Sequence, residues 1–268
     1  MSGFSLDWLG LREPFDRAAR NEEVRRAALA LLADRARTIV VDLACGAGST
    51  LRALAPDLAK PQRWRLIDND PTLLAAASAA AHDAPDVTVE TMPFDLNDDL
   101  PSLFTRDVSL VTTSALLDLV SQTWIERFAD GLAARRLPFY AALSYDSRAT
   151  LDPVHPRDAE IVTAVNRHQR GDKGFGPALG PDGARTAMAA LRSRGYRVVS
   201  GSSDWRAAPP DRAFQSEILR GWAQAAREIG EGDDAAIDAW LAQRMAWIDA
   251  GASSLTVGHV DFLAMPGE

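Results

Sequence analysis

The sequence predicts an α/β domain built on a parallel, doubly wound sheet. From Thr38 onward, short β-rich runs (TIVVDLA, RWRLID, VTVETM, VSLVTTSA, PFYAALSY, YRVVSG) alternate with helical stretches, as βαβ units do. At 268 residues the chain suits one large domain better than two small ones, so residues 1–268 are read as a single unit. Hydrophobic residues make up 47% and charged residues 25%, an ordinary composition for a chain that folds on its own.

The helices follow from spacing and stop signals. Residues 21 to 35 place Val24, Ala27, Ala28, Leu31 and Leu32 on one face. They follow the mixed stretch DWLGLREPFDRAAR, and residues 1–37 together form an N-terminal helical lid segment. Further helices are expected over 49 to 59 after a glycine turn, over 71 to 81 from Pro71, and over 121 to 134 with Trp124, Ile125, Phe128 and Leu132 on one face. The last strand is LTVGHVDFLAMP, with Val257, His259 and Asp261 on one side.

Two long connections interrupt the alternation. Residues 147–180 hold a helix around 157 to 169 and then the loop GDKGFGPALGP. Residues 203–254 hold helices over 210 to 229 and 233 to 249, each closed by a glycine, Gly230 and Gly251, and expected to pair as a hairpin. Trp205, Trp222, Trp240 and Trp247 all fall in this second connection, at a spacing that fits a seam between helices.

Charge and composition exclude several classes of function. A net charge of −8 repels phosphate backbones and anionic lipid, so neither nucleic acid nor a membrane is an expected partner. The single Cys45 allows no internal disulfide. His82, His155, His168 and His259 lack metal-ligand spacing, so no metal is expected. The start MSGFSLDWLG does not read as a leader, and no uncharged apolar run approaches the roughly 18 residues of a membrane helix, so a cytoplasmic location is expected. Oligomeric state is not encoded in any pattern found.

The stretch TIVVDLACGAGST, residues 38 to 50, carries the most chemistry: an apolar strand ending in Asp42, then Gly46 and Gly48, then a helix. Glycines let the backbone turn sharply and a ligand approach, and the helix start offers free N–H groups. A dinucleotide fingerprint needs a third glycine where Leu51 stands. Asp68 ends the second strand about 20 residues on, the place of an acid that accepts from ribose hydroxyls. Asp95 follows the third strand at the same edge, so Asp42, Asp68 and Asp95 rim one crevice.

The runs DLACGAGS, LIDND and FDLND resemble the first three cofactor motifs of the class I S-adenosylmethionine-dependent methyltransferases, over about residues 38 to 146. The resemblance implies a Rossmann-like, mostly parallel seven-stranded sheet whose last strand is antiparallel, with helical insertions over the active-site edge. It implies S-adenosyl-L-methionine as cofactor and S-adenosyl-L-homocysteine as product. Asp42, Ala44, Gly46 and Gly48 would surround the methionine part, Asp68 the ribose, and Asn69 the adenine. Asp95 and the Leu96 amide would meet the adenine amino group. Thr113 and Ser114 would reach the crevice from the fourth motif, DVSLVTTSALLD, and Arg20 of the leading segment would pair with the cofactor carboxylate.

The acceptor is expected to be a small molecule, a metabolite or natural product. Both connections leave from the carboxyl ends of strands and would roof its pocket. Asp118, His168 and Tyr145 are the candidate catalytic residues, with Asp118 or His168 as base where one is needed. Asn166, Asp172, Lys173 and Phe175 are candidate acceptor ligands, Lys173 for an acidic group. Two other readings share the fold: a nicotinamide-dependent oxidoreductase, and a non-catalytic cofactor-binding protein that works through a partner.

Overall fold

The computed structural model describes residues 5–79, 86–230 and 232–267. His82 and the last two residues of the helix expected over 71 to 81 lie outside them. Two helices open the chain, α1 (Leu6–Ala19) and α2 (Glu22–Leu32). Then come β1 (Thr38–Leu43), α3 (Ser49–Leu54), β2 (Gln62–Asp68), α4 (Pro71–Ala79), β3 (Val87–Pro93), β4 (Leu110–Ser114), α5 (Gln122–Arg135) and β5 (Phe139–Asp152). The second half holds α6 (Asp158–His168), α7 (Gly183–Arg192), β6 (Tyr196–Ser202), β7 (Trp205–Ala207), α8 (Arg212–Ile229), α9 (Asp234–Asp249) and β8 (Ser254–Pro266).

The strands form one sheet in the order β3-β2-β1-β4-β5-β8-β6. β1 to β5 pair in parallel, and β8 runs antiparallel between β5 and β6. This is the predicted mostly parallel sheet with an antiparallel last strand. An eighth, three-residue strand, β7, adds to the start of β8. The chain moves outward from β1 to β3 and then returns to lay β4 on the other side of β1, so the order reverses between β1 and β4. In open α/β sheets that reversal opens a crevice at the carboxyl ends of the strands.

β1 is buried along its whole length because helices cover both faces, as its unbroken apolar run requires. Val40 joins a core with Val24, Ala28 and Leu32 of α2 and Trp64 of β2. Val41 and Leu43 face the opposite core, with Trp124, Ile125 and Phe128 of α5 and Ala187 and Leu191 of α7.

Three elements depart from the sequence pattern for identifiable reasons. The helix expected over 49 to 59 ends at Leu54 and tightens into a 3-10 turn at Ala55–Asp57, because Pro56 has no N–H to continue the ladder. α1 forms despite Gly10 and Pro14. Ser5 caps it by accepting from the Trp8 amide, and Trp8 and Phe15 both stack on Phe214 of α8. β5 continues well past the expected end near Tyr145 because the long β8 offers pairing out to Asp152 and Ser254, so the first connection begins beyond 147. Two bulges bend β5 on the way, with Leu143 and Ser147 in the left-handed region at φ 54° and 76°.

α8 and α9 pack on each other, and α6 packs on α8. Gly230 and Gly251 close the two helices in the left-handed conformation, as the sequence indicated. Trp240 is fully buried and donates to Asp158 of α6 at 2.9 Å. Arg244, also fully buried, pairs with the same carboxylate and donates to the Pro153 carbonyl at 2.6 Å. Removing one member of a buried ion pair leaves the other charge uncompensated. Arg244→Met is therefore expected to destabilise the protein by about 3 kcal/mol in urea unfolding, and Arg244→Met with Asp158→Leu by less than Arg244→Met alone.

Candidate active site

The glycine turn leaves the end of β1 at the order reversal. Ala44, Gly46 and Gly48 all take positive φ, 49°, 54° and 85°. For Ala44 that conformation is strained, and such strain collects where structure over-determines it. The turn is held from β2: the Cys45 amide donates to the Ile67 carbonyl at 3.0 Å and the Gly46 amide to Asp68 Oδ2 at 2.9 Å. Gly48 carries no side chain because a Cβ there would stand 3.2 Å from that of Ala77 on α4. Burial pushes the Cys45 thiol far up, so it is a packing group and not a nucleophile.

Asp68 also accepts from the Asp70 amide through Oδ1, at 3.0 Å. The carboxylate thus shapes both the glycine turn and its own loop, and each oxygen keeps a second lone pair. Asp42 is fully buried. Its Oδ1 accepts from Thr112 at 2.8 Å, and its Oδ2 has no partner. Burial raises its pKa to about 7, against the opposing effects of Thr112 and Arg20.

Arg20 follows α1 and is buried. It donates to Tyr140 and Thr50 through long bonds, both 3.4 Å, and its Nε has no partner. Its position is set by Asp261 of β8, which accepts from the Asn21 amide at 2.9 Å and from the Leu143 amide, inside the first β5 bulge, at 2.7 Å. Glu13 of α1 holds Arg52 of α3 through two bonds, and Leu9 lies over Gly46, 3.6 Å from where a Cβ would be. α1 therefore covers the glycine turn.

On the far side of the turn, Asp95 is exposed and accepts from the Asn97 amide at 2.9 Å and side chain at 3.1 Å. Asn97 donates onward to the Gly174 carbonyl at 2.9 Å, joining this loop to the 170s segment. Leu96 is buried, and its carbonyl accepts from Trp124 at 2.8 Å. Asn69 is exposed beside Asp68. The Ser114 hydroxyl, ending β4, is buried without a partner.

Asp118 sits in the loop between β4 and α5. The cap of α5 is Ser121, which accepts from the Trp124 amide, so capping does not use Asp118. The loop is fixed from above: Gly180 donates to the Asp118 carbonyl and Leu179 to that of Val120, at 3.0 and 2.9 Å. Asp118 Oδ1 has no partner, and burial raises its pKa to about 6. Tyr145, between the two bulges of β5, donates to Asn166 of α6 at 2.7 Å, and burial pushes its phenol up.

His168 Nε2 meets Glu228 of α8 at 2.7 Å, and Lys173 lies 3.4 Å from its Nδ1. Asp172 turns inward to accept from the Gly174 and Gly176 amides at 2.7 and 3.1 Å, which forms the loop. Phe175 packs edge-on against Trp124, 6.1 Å between centroids. The structure thus joins Tyr145 to Asn166 and His168 to Lys173, whereas Asp172 and Phe175 have structural neighbours.

Sequence reading passed over Arg12, Asp16, Tyr140 and Asp261 as site residues. Asp261 carried a signal, a charge alternating with apolar residues in a strand. Arg12 and Asp16 carried none, since they lie four apart on a helix with weak amphipathic patterning.

Two surface clefts, of about 220 and 360 Å3, lie elsewhere. The first is lined by Phe15, Asp204 and Arg206 among others, the second by residues of α6 and Ile237. Neither is lined by Asp42, Asp68 or Asp118. Among the described residues, no three His, Cys, Asp or Glu are grouped to hold a metal ion, and no helix is long and apolar enough to cross a membrane.

No protein-family model matches the chain, and no curated protein does. Solved structures do. The chain is similar to a proposed methyltransferase from Bacillus halodurans at 12% identity and TM-score 0.55, over 92% of this chain and 100% of that one. It is also similar to a cyclopropane synthase from Mycobacterium tuberculosis at 12% identity and TM-score 0.53, over 98% of this chain and 94% of that one. The fold is therefore that of these enzymes.

Gly183, at the start of α7, has the Leu117 carbonyl where its Cβ would be, so any side chain must push the 117–118 backbone away. Gly183→Ala is expected to lower the melting temperature by several degrees, consistent with an overpacking cost of about 1–3 kcal/mol, and to displace Asp118, which a crystal structure of the variant would show.

Asp118 gives a second expectation, with its sign set by the raised pKa. An unfolded carboxyl titrates near 3.9, the folded one at about 6, so folding takes up a proton between those values. Stability from this group is present at low pH and is lost as pH rises through about 6. Asp118→Asn should be more stable than wild type by up to about 3 kcal/mol at pH 8, and by almost nothing below pH 4, in urea titrations at both values.

Proposed function

We propose that the chain is an S-adenosylmethionine-dependent methyltransferase that acts on a small-molecule acceptor. One observation supports this most: Asp42 Oδ2, Arg20 Nε and Ser114 Oγ, all buried, lack partners at the reversal point of the sheet beside the glycine turn. Buried polar groups are nearly always satisfied, so a cluster of exceptions in a ligand crevice fits a ligand with matching donors and acceptors. An amino acid moiety, a ribose and a base supply that match.

Asp42 and the amides of the turn would take the methionine ammonium and main chain, and Arg20 its carboxylate. Asp68 would accept from the ribose hydroxyls with its free lone pairs, Asn69 would lie along the adenine, and Asp95 with the Leu96 amide would read the adenine amino group. Bound S-adenosylmethionine supplies an electrophilic methyl group on a sulfonium and leaves as S-adenosylhomocysteine. α1 closes the turn from water and serves as the lid. Asp118 orients the acceptor and takes the proton of a hydroxyl nucleophile, or of an ammonium to free the amine that attacks, while Tyr145, fixed by Asn166, positions it. His168, paired with Glu228, is the weaker candidate base.

Calorimetric titration tests the reading. S-adenosylhomocysteine is expected to bind and NAD not to bind. Asp68→Ala should weaken S-adenosylhomocysteine by about 10- to 100-fold. Arg20→Gln should weaken S-adenosylhomocysteine about tenfold or more yet leave 5′-methylthioadenosine, which lacks the amino acid part, unchanged. Equal binding of NAD, or a folded Asp68→Ala that binds as wild type does, would overturn it.

A further inference from the structure

Asn97 stands where two loops meet. Its side-chain amide donates to Asp95 Oδ1 at 3.1 Å and to the Gly174 carbonyl at 2.9 Å, so both hydrogens of one planar group are committed. Its main-chain amide donates to the same Oδ1 at 2.9 Å, and its carbonyl accepts from Arg127 of α5 at 3.0 Å. From Gly174 the chain crosses the start of α5. Phe175 packs on Trp124, and a Cβ on Gly176 would stand 3.7 Å from that of Ser121. The amides of Leu179 and Gly180 then donate to the carbonyls of Val120 and Asp118, at 2.9 and 3.0 Å. Residues 174–180 are therefore a strap, tied at one end beside Asp95 and at the other to the backbone of Asp118.

The two ends are fastened unequally. The Asp118 end is held by two backbone bonds, by the buried Ala178 and by Gly183, which seats against the Leu117 carbonyl. At the other end Asp95, Asn97 and Gly174 are all exposed. Hydrogen bonds in reach of water open readily, because water competes for both partners. Planarity makes the Asn97 end conditional on Asp95. The amide aims one hydrogen at Gly174 while the other is aimed at Oδ1, and that direction turns with the carboxylate. A donor received on Oδ2 stops the carboxylate turning, and with it the amide.

We propose that Asn97 is a positioning residue through which the adenine amino group, received by Asp95, fixes the strap and with it the backbone that carries Asp118. The inference rests on the methyltransferase reading above. The cofactor then binds first, and the small-molecule acceptor meets an Asp118 loop that the occupied adenine site has already settled.

Amide-resolved hydrogen exchange by NMR on the full chain, with and without saturating S-adenosylhomocysteine, tests this. The Gly46 amide, which donates to Asp68 in the glycine turn, reports occupancy, and the Leu179 and Gly180 amides report the strap. In the wild type S-adenosylhomocysteine should slow exchange at all three, by about tenfold at Leu179 and Gly180. Its analogue with purine in place of adenine lacks the amino group and, at saturation, should slow Gly46 alone. Asn97→Ala, at an exposed position, should bind S-adenosylhomocysteine within about tenfold of the wild type and, at saturation, also slow Gly46 alone. Asn97→Asp, which sets a second carboxylate against Asp95 and the Gly174 carbonyl, should do the same. Wild-type slowing of the strap amides in either folded variant, or by the purine analogue, overturns the inference. If S-adenosylhomocysteine slows Gly46 in the wild type and leaves the strap amides unchanged, only the inference falls; if it does not bind at all, the methyltransferase reading falls as well.

Discussion

Five parallel strands share one direction, so their carboxyl ends share one edge, and the reversal of order between β1 and β4 parts the loops there. Nearly everything chemical in this protein depends on that constraint. Asp42, Asp68, Ser114 and Asp118 come from segments far apart in sequence, yet each follows or ends a parallel strand and is delivered to the same edge. The glycine turn occupies the reversal because only there can the β1 loop rise without meeting a neighbour. Asp68 makes the turn a fixed object by accepting from the Gly46 amide.

Electrostatics on this edge are unusual for a protein of net charge −8. Asp42, Asp118 and Asp261 are all buried, and burial raises the pKa of each. Arg12 of α1 and Arg20, which follows it, are buried as well. Such charges are costly to bury one by one and are retained where they form a network. The α1–α2 junction is therefore tied to the sheet: the Asn21 amide and Arg20 reach it through Asp261 and Tyr140, and Arg20 adds its charge to the surroundings of Asp42.

The sequence made the first half of the sheet legible because local chemistry sets it. A buried parallel strand must be apolar throughout, Gly46 and Gly48 must turn it, and Asp68 must stand one βα unit later. The helix stops at Gly230 and Gly251 were equally local. What stayed hidden depends on long-range pairing. The extension of β5 to Asp152 needs β8, and α1 needs Phe214, some two hundred residues away, to compensate for Gly10 and Pro14. On the site, Asp118 was visible as an acid after β4, but its freedom from capping depends on Ser121. Asp172 also forms its own turn, which the sequence did not show, because Gly174 and Gly176 present amides to it.

Buried and exposed charges act over different ranges in this protein. Exposed charges are screened beyond about 8 Å at physiological ionic strength, whereas buried ones are screened much less. The acidic exterior therefore sets what approaches from afar and disfavours polyanions, whose many phosphates would meet it at once. The buried charges of Arg20 and Asp42 act on each other at short range instead, where a lower local dielectric strengthens them. The exterior and the crevice thus answer to different charges in one chain, the first to the net excess of acids and the second to the few charged side chains that α1 and the parallel strands bury there.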